Sequence, residues 1–168
     1  MKKRIILATT LVASSFAFNA NAGIVTNDTD LLTGVGHAQL SEWLGEDFDL
    51  TRIFAKGVDG DNSADWHAAV DNKGATFTVM ELFDNETGER RVIGGYNDLN
   101  WTSTGQFGVS ENTFLFNLTE GSLYSIEQST SSVATYNTGG YGATFGGGHD
   151  LKVNSDLMGG LSYIYSYS

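Results

Sequence analysis

The sequence predicts an α+β domain in which two antiparallel β-sheets pack as a sandwich with short helices beside them. Apolar residues near the front recur at helical spacing. From about residue 75 the period changes to two. Several of the later strand-like runs carry apolar groups on both faces, as strands covered on both sides must.

Taken in order, "GHAQLSEWLG" at 36–45 reads as a short helix with Leu40, Trp43 and Leu44 on one face and Gly45 at its end. "FDLTRIFAKG" at 48–57 alternates around Leu50, Ile53 and Phe54 as a strand does. A second helix is expected over 64–71, capped by Ser63 and followed by Gly74. "ATFTVMELF" at 75–83 sets Phe77, Val79 and Glu81 against Thr76, Thr78, Met80 and Leu82, which predicts a central strand. The turn cluster 84–89 and the return strand 90–96 complete a hairpin. A loop over 97–108 is expected to expose or half-bury Trp101. Strands follow at 112–119, 122–129 and 132–138, then at the end of 142–153 and over 161–168.

Ahead of these elements stands a segment that reads as a leader. "MKKR" is followed by an apolar run to Phe18 and then "NANA", with Ala20 and Ala22 in an A-x-A cleavage pattern. The run falls short of the ~20 apolar residues that a spanning helix needs. Cleavage after Ala22 leaves residues 23–168, with a polar lead-in to residue 37 and a domain over 38–168. The expectation is a secreted protein, periplasmic or extracellular, without membrane insertion once the leader is gone. The leader holds three of the nine basic residues and none of the twenty acidic ones, so the remainder carries a net charge of −14. Such a chain is repelled by nucleic acid. There is no Cys, which excludes disulfides, thiol catalysis and thiolate metal sites.

The stretch "GGGHD" at 146–150 invites a chemical reading. A phosphate loop would need a Lys and a Ser or Thr at a helix start, and neither follows here. Glycines at a strand mouth also serve where a backbone or ring comes close, or where φ is positive. Gly146, Gly147 and Gly148 are read that way, as are Gly94 and Gly95, with Phe145 and Trp101 as the rings that pack there. His149 and Asp150 would face opposite ways on a strand, so each needs a partner from elsewhere, Glu81, His67 or Asp65. "DGDNSAD" at 59–65 lacks the Gly and Glu of an EF-hand loop, though Asp59, Asp61 and Asp65 could hold calcium another way. Trp101, Tyr96 and Tyr141 could form an aromatic platform for a glycan, or be buried anchors.

The ordered blocks "WLG", "TRIFAKG", "SADWHAAVDNKGATFTVME", "IGGYNDLNWTSTGQF", "NTFLFNLT" and "YGATFGGGHDLKV" resemble the TLDc domain of eukaryotic oxidation-resistance proteins and secreted bacterial relatives. The resemblance spans about residues 38–165. It implies a two-sheet sandwich with short helices, a link to protection against oxidants, and no established chemistry. The proton-pump partner of the eukaryotic members does not carry over to a secreted protein. Ala75 and Ala143 stand where the family usually has Pro, which loosens those turns. The family usually adds one more strand beyond the tyrosine-rich one, whereas this sequence stops at Ser168, either shorter by design or incomplete; if it is incomplete, a sheet position is empty and an edge is bare.

The combined expectation is a binding module without catalytic chemistry or cofactor, with an unidentified protein or glycan partner. Its candidate binding residues are His149, Asp150, Trp101, Tyr96 and Glu81. The alternatives are an extracellular hydrolase or metal-dependent enzyme centred on His149, and a structural component of the cell envelope or matrix.

Overall fold

A computed structural model of the protein describes residues 6–7, 14–16, 31–126, 133–162 and 167. In chain order the elements are β1 (Ile6–Leu7), β2 (Ser14–Phe16), α1 (Gly34–Leu44), β3 (Arg52–Ala55), α2 (Ser63–Val70), β4 (Thr76–Phe83) and β5 (Arg90–Asn97). They continue with β6 (Gln106–Val109), β7 (Phe114–Asn117), β8 (Ser122–Ser125), β9 (Val133–Asn137), β10 (Thr144–Phe145), β11 (Leu151–Val153) and β12 (Gly160–Ser162). One sheet has the order β2-β3-β1-β4-β5-β7-β8, the other β12-β11-β10-β9-β6. The second sheet is antiparallel throughout, as is the β4-β5-β7-β8 half of the first. The α+β sandwich expected from the sequence is the fold observed.

Local chemistry sets the helix ends. The Thr33 side chain accepts the Gly36 N–H to start α1, and Gly45 closes it at φ 75°. The cap of α2 is Asn62, whose Oδ1 accepts the Asp65 N–H at 3.1 Å. The predicted cap, Ser63, lies inside the helix and donates instead to the Gly139 carbonyl at 3.0 Å. Asn62 wins because its side-chain carbonyl reaches the third residue on, while Ser63 finds a distant acceptor. Asp84 organises the β4–β5 turn by accepting the N–H groups of Glu86 and Thr87. These bonds hold its carboxyl below the usual range.

The first sheet is covered on both faces, which explains why β4 lacks simple alternation. Phe77 and Val79 face a cluster with Leu40, Phe48, Tyr96, Phe114 and Phe116, beneath α1. Met80 joins the cluster between the sheets, with Trp66, Trp101, Phe145, Leu151 and Leu157. The loop after β5 therefore does not expose Trp101, which is 1% accessible. Its ring meets Trp66 and Phe145 edge-on at 5.3 Å each, and its Nε1–H donates to Thr76 Oγ1 at 2.7 Å. The same loop also contains β6, which sequence alternation did not show. Of the run 122–129, residues 127–129 lie outside the described residues, as do 163–166 of the last tyrosine-rich run.

In β5, Gly95 faces the second sheet and Gly94 the cluster beneath α1. A Cβ on Gly95 would lie 2.5 Å from Cζ of Phe145 in the facing sheet. A Cβ on Gly94 would collide with the Thr78 carbonyl oxygen on the neighbouring strand. We expect Gly95→Ala to cost about 1–3 kcal/mol in urea unfolding, because neither the ring nor the strand can withdraw freely. Gly34→Ala, at the first turn of α1 with open space around it, should leave stability equal or raise it by up to about 1 kcal/mol.

Candidate functional site

The predicted binding residues do not form one site. Trp101 and Tyr96 are 1% and 2% accessible, so both ring faces are covered and neither can serve a surface platform. Tyr96 packs on Phe77 and Phe114 at 4.9 and 5.1 Å. Burial first, then the charges of Asp98 and Glu46, push its hydroxyl well above the usual tyrosine range. Glu81 lies on β4 and pairs with Arg90 across the hairpin. Asp150 is 1% accessible and accepts the Tyr167 N–H at 3.1 Å. His149 alone of the five presents a half-exposed ring.

His149 stands in a turn before β11, not on the strand, and its φ is 62°. Gly146 opens that turn at φ 81°, and a Cβ there would run into the Asp150 carboxylate. The glycine is thus required twice, by its conformation and by the buried acid beneath it. Gly147 and Gly148 continue the turn. The rings that sit over glycines are Phe145 on Gly95 and Phe116 on Gly94, and the close neighbour of Gly146 is the Asp150 carboxylate rather than a ring.

Around His149 the outer face of the second sheet carries a stripe of rings. Tyr136 is one residue from Thr135, whose cross-strand partner Phe145 points into the core, so Tyr136 points outward. Its own partner, Phe107 on β6, lies beside it with ring centroids 4.9 Å apart and is 54% accessible. Tyr136 is followed by His149 at 5.7 Å, and His149 by Tyr141 at 6.1 Å. Lys152 alternates with the buried Leu151 and Val153 and sets its Nζ 4.4 Å from the Tyr141 ring centre, a cation–π contact. Partial burial, and secondarily the Lys152 charge, lowers the His149 pKa below 6.5, with Asp150 opposing weakly. The shift favours the uncharged imidazole, which joins the stripe as a ring. The signal available in the sequence was the Phe107 and Tyr136 positions. Without the β6–β9 register nothing in it joined them to His149.

His67 plays a structural part. It is 5% accessible, and its Nε2 lies 2.9 and 3.0 Å from the Thr138 and Tyr141 carbonyls. Its Nδ1 is 2.7 Å from Asp71 Oδ1, and Asp71 Oδ2 accepts the Ser103 hydroxyl at 2.8 Å. This chain ties α2 to the loop that carries Tyr141. The proposed calcium acids are committed elsewhere. Asp59 accepts the Ala55 N–H, Asp65 the Asp61 N–H, and Asp61 pairs with Lys56. Among the described residues no group of three or more His, Asp or Glu is arranged to hold a metal ion. No helix among them is long and apolar enough to cross a membrane.

A two-sheet sandwich with helices α1 and α2 beside it, Gly95 against Phe145 between the sheets and a glycine turn before β11 define a β-rich α+β domain. The TLDc domain family model matches residues 25–168, and the chain belongs to that family. No curated protein matches the chain.

Replacing His67 by Leu strips hydrogen-bond partners from Asp71 and the two carbonyls, and should cost about 2–3 kcal/mol in a denaturant melt. For His149, an NMR titration should give a midpoint below 6.5. Lys152→Met should recover only part of the shift, because burial is the larger cause. Since the folded pKa is the lower one, this group's contribution to stability is present above pH ~6.5 and is lost as pH falls through the folded value.

Proposed function

We propose that this protein is an exported, non-catalytic binding module whose contact surface is the stripe Phe107–Tyr136–His149–Tyr141–Lys152. The observation that carries the reading is that stripe itself: neighbouring rings held outward by sheet register, flanked by polar groups and one cation. Rings with an apolar face and wet edges suit the apolar faces of sugar rings. The ligand class is an extended neutral glycan, since a net charge of −14 after the leader disfavours anionic polymers.

Export is supported by the basic start, the apolar run and the A-x-A site. The family match begins at residue 25, just beyond that site. A hydrolytic role for His149 has less support. Asp150, the adjacent acid, is turned into the core, and Glu81 is engaged with Arg90 on the other sheet. The oxidant protection implied by the family would not rest on sacrificial sulfur here. There is no Cys, and beyond the leader Met80 is buried, which leaves Met158 exposed.

Calorimetric titration against soluble β-glucan, α-glucan and mannan oligosaccharides tests this. One class should bind, and Tyr136→Ala with Phe107→Ser should weaken it about 30-fold with little change in melting temperature. Equal binding by the double variant, or no binding by the parent to any neutral oligosaccharide, would sink the glycan reading.

A further inference from the structure

The aromatic stripe belongs to the second sheet; the first sheet has a cleft of its own at the end of β5. Tyr96 and Asp98 stand two residues apart there, and alternation along the strand turns both side chains to the side that α1 covers. Trp43 and Leu44 from the last turn of α1, with Asn112 and Phe114 from the entry to β7, line the same cleft, whose volume is about 660 Å³. Small-molecule sites are of this size.

Two polar groups in the cleft have bonding capacity to spare. Tyr96 is 2% accessible and its ring packs on Phe77 and Phe114, yet its hydroxyl has no hydrogen-bond partner among the described residues and opens on the cleft. Asp98 Oδ2 accepts the Ser110 hydroxyl at 2.8 Å and the Asn112 amide at 3.1 Å, and Oδ1 accepts the Thr113 hydroxyl at 2.9 Å. All three donors are neutral, and among the described residues no Lys, Arg or His side chain pairs with Asp98. A carboxylate has about four acceptor positions, so one on Oδ1 is open.

These features select the ligand. An unpaired carboxylate in a chain with twenty acidic and nine basic residues takes a cation. A divalent metal wants several oxygen ligands, which one open carboxylate position does not supply. A guanidinium donates as a fork to two carboxylate positions. A cage for a quaternary ammonium needs open ring faces, and those of Tyr96 and Phe114 are covered by packing. A primary ammonium meets the site. We propose that this cleft binds a small aliphatic amine as its ammonium ion, with one N–H donated to Asp98 Oδ1, a second to the Tyr96 hydroxyl oxygen, and the stem laid along the half-buried Trp43 and Leu44. The inference depends on neither the export nor the glycan reading, since the proposed glycan surface lies on the other sheet.

The test expresses the chain with its own leader, purifies it as the cell delivers it, and titrates it with n-butylammonium and tetramethylammonium chlorides. These cations are isomers of equal charge, and the second has no N–H. Butylammonium should bind saturably with Kd of about 1 mM or tighter and raise the melting temperature, while tetramethylammonium does neither. The NMR signals of the Trp43 indole N–H and the Asn112 side-chain amide should move in the same titration. Tyr96→Phe removes a hydroxyl that has no partner in the free protein, so it should melt at or above the parent temperature and bind butylammonium about 10-fold more weakly. Asp98→Asn should abolish binding; if it fails to fold, Tyr96→Phe decides alone. No saturable binding by the parent up to about 10 mM overturns the proposal. Equal effects of the two isomers also overturn it, because they reveal charge screening without recognition. Unchanged binding by Tyr96→Phe, or shifts that spare Trp43 and Asn112, overturns it by placing the amine elsewhere.

Discussion

The contact between Phe145 and Gly95 sets the distance between the two sheets, and much of the rest follows from it. The Phe145 ring ends where a Cβ of Gly95 would begin. Trp101 then closes on the side of that ring, with Trp66 behind it, so that α2, the loop after β5 and both sheets share one aromatic column. The Trp101 Nε1–H bond to Thr76 gives the column a polar anchor on β4, which prevents a buried donor from going unpaired. Oil-like packing would leave these rings free to slide; edge-on ring contacts and the Thr76 bond give them one arrangement.

Using both faces of the first sheet for packing has a functional consequence. α1 covers one face and the second sheet covers the other, so the aromatic residues of β4 and β5 are consumed by the interior. The aromatic residues left at the surface lie on the outer face of the second sheet, where β6, β9 and β11 present alternate residues outward. That is why Tyr96 and Trp101, the most conspicuous aromatic residues for a platform, are interior anchors, and the exposed Phe107 with the half-buried Tyr136 and Tyr141 forms the surface stripe.

The glycine turn before β11 links these two regions. Gly146 at positive φ lets the chain reverse above Asp150, and His149 adopts a left-handed conformation of its own. The result is a divergence of neighbouring side chains, the acid inward to the Tyr167 backbone and the imidazole outward beside Tyr136 and Tyr141. The adjacent His and Asp are thereby separated into a structural role and a surface role. His67 supports the same surface from below, because its bonds to the Thr138 and Tyr141 carbonyls position the loop that carries Tyr141.

The order of helices and strands, the hairpin at 84–89, the glycine-terminated first helix and the two-sided strand at 76–83 were all legible in the sequence. Each depends on periodicity or on local bonds within a few residues. Gly94, Gly95 and Gly146 were legible as backbone necessities, but not what lies against them. Ser63 was misread as a cap because a serine and an asparagine side by side both satisfy the local rule, and the choice depended on a carbonyl at Gly139. β6 escaped because a four-residue strand of exposed and half-exposed residues has too little contrast to show a period. The sequence by itself determined the fold class, the charge, the absence of thiol chemistry and which short segments could be strands. Tertiary structure alone decided which aromatic residues are buried and which are presented, and that β1 fills a place between β3 and β4. The physical reason is that ring exposure and strand neighbours depend on cross-strand register and sheet packing, between residues tens of positions apart, and local propensity carries no record of those partners.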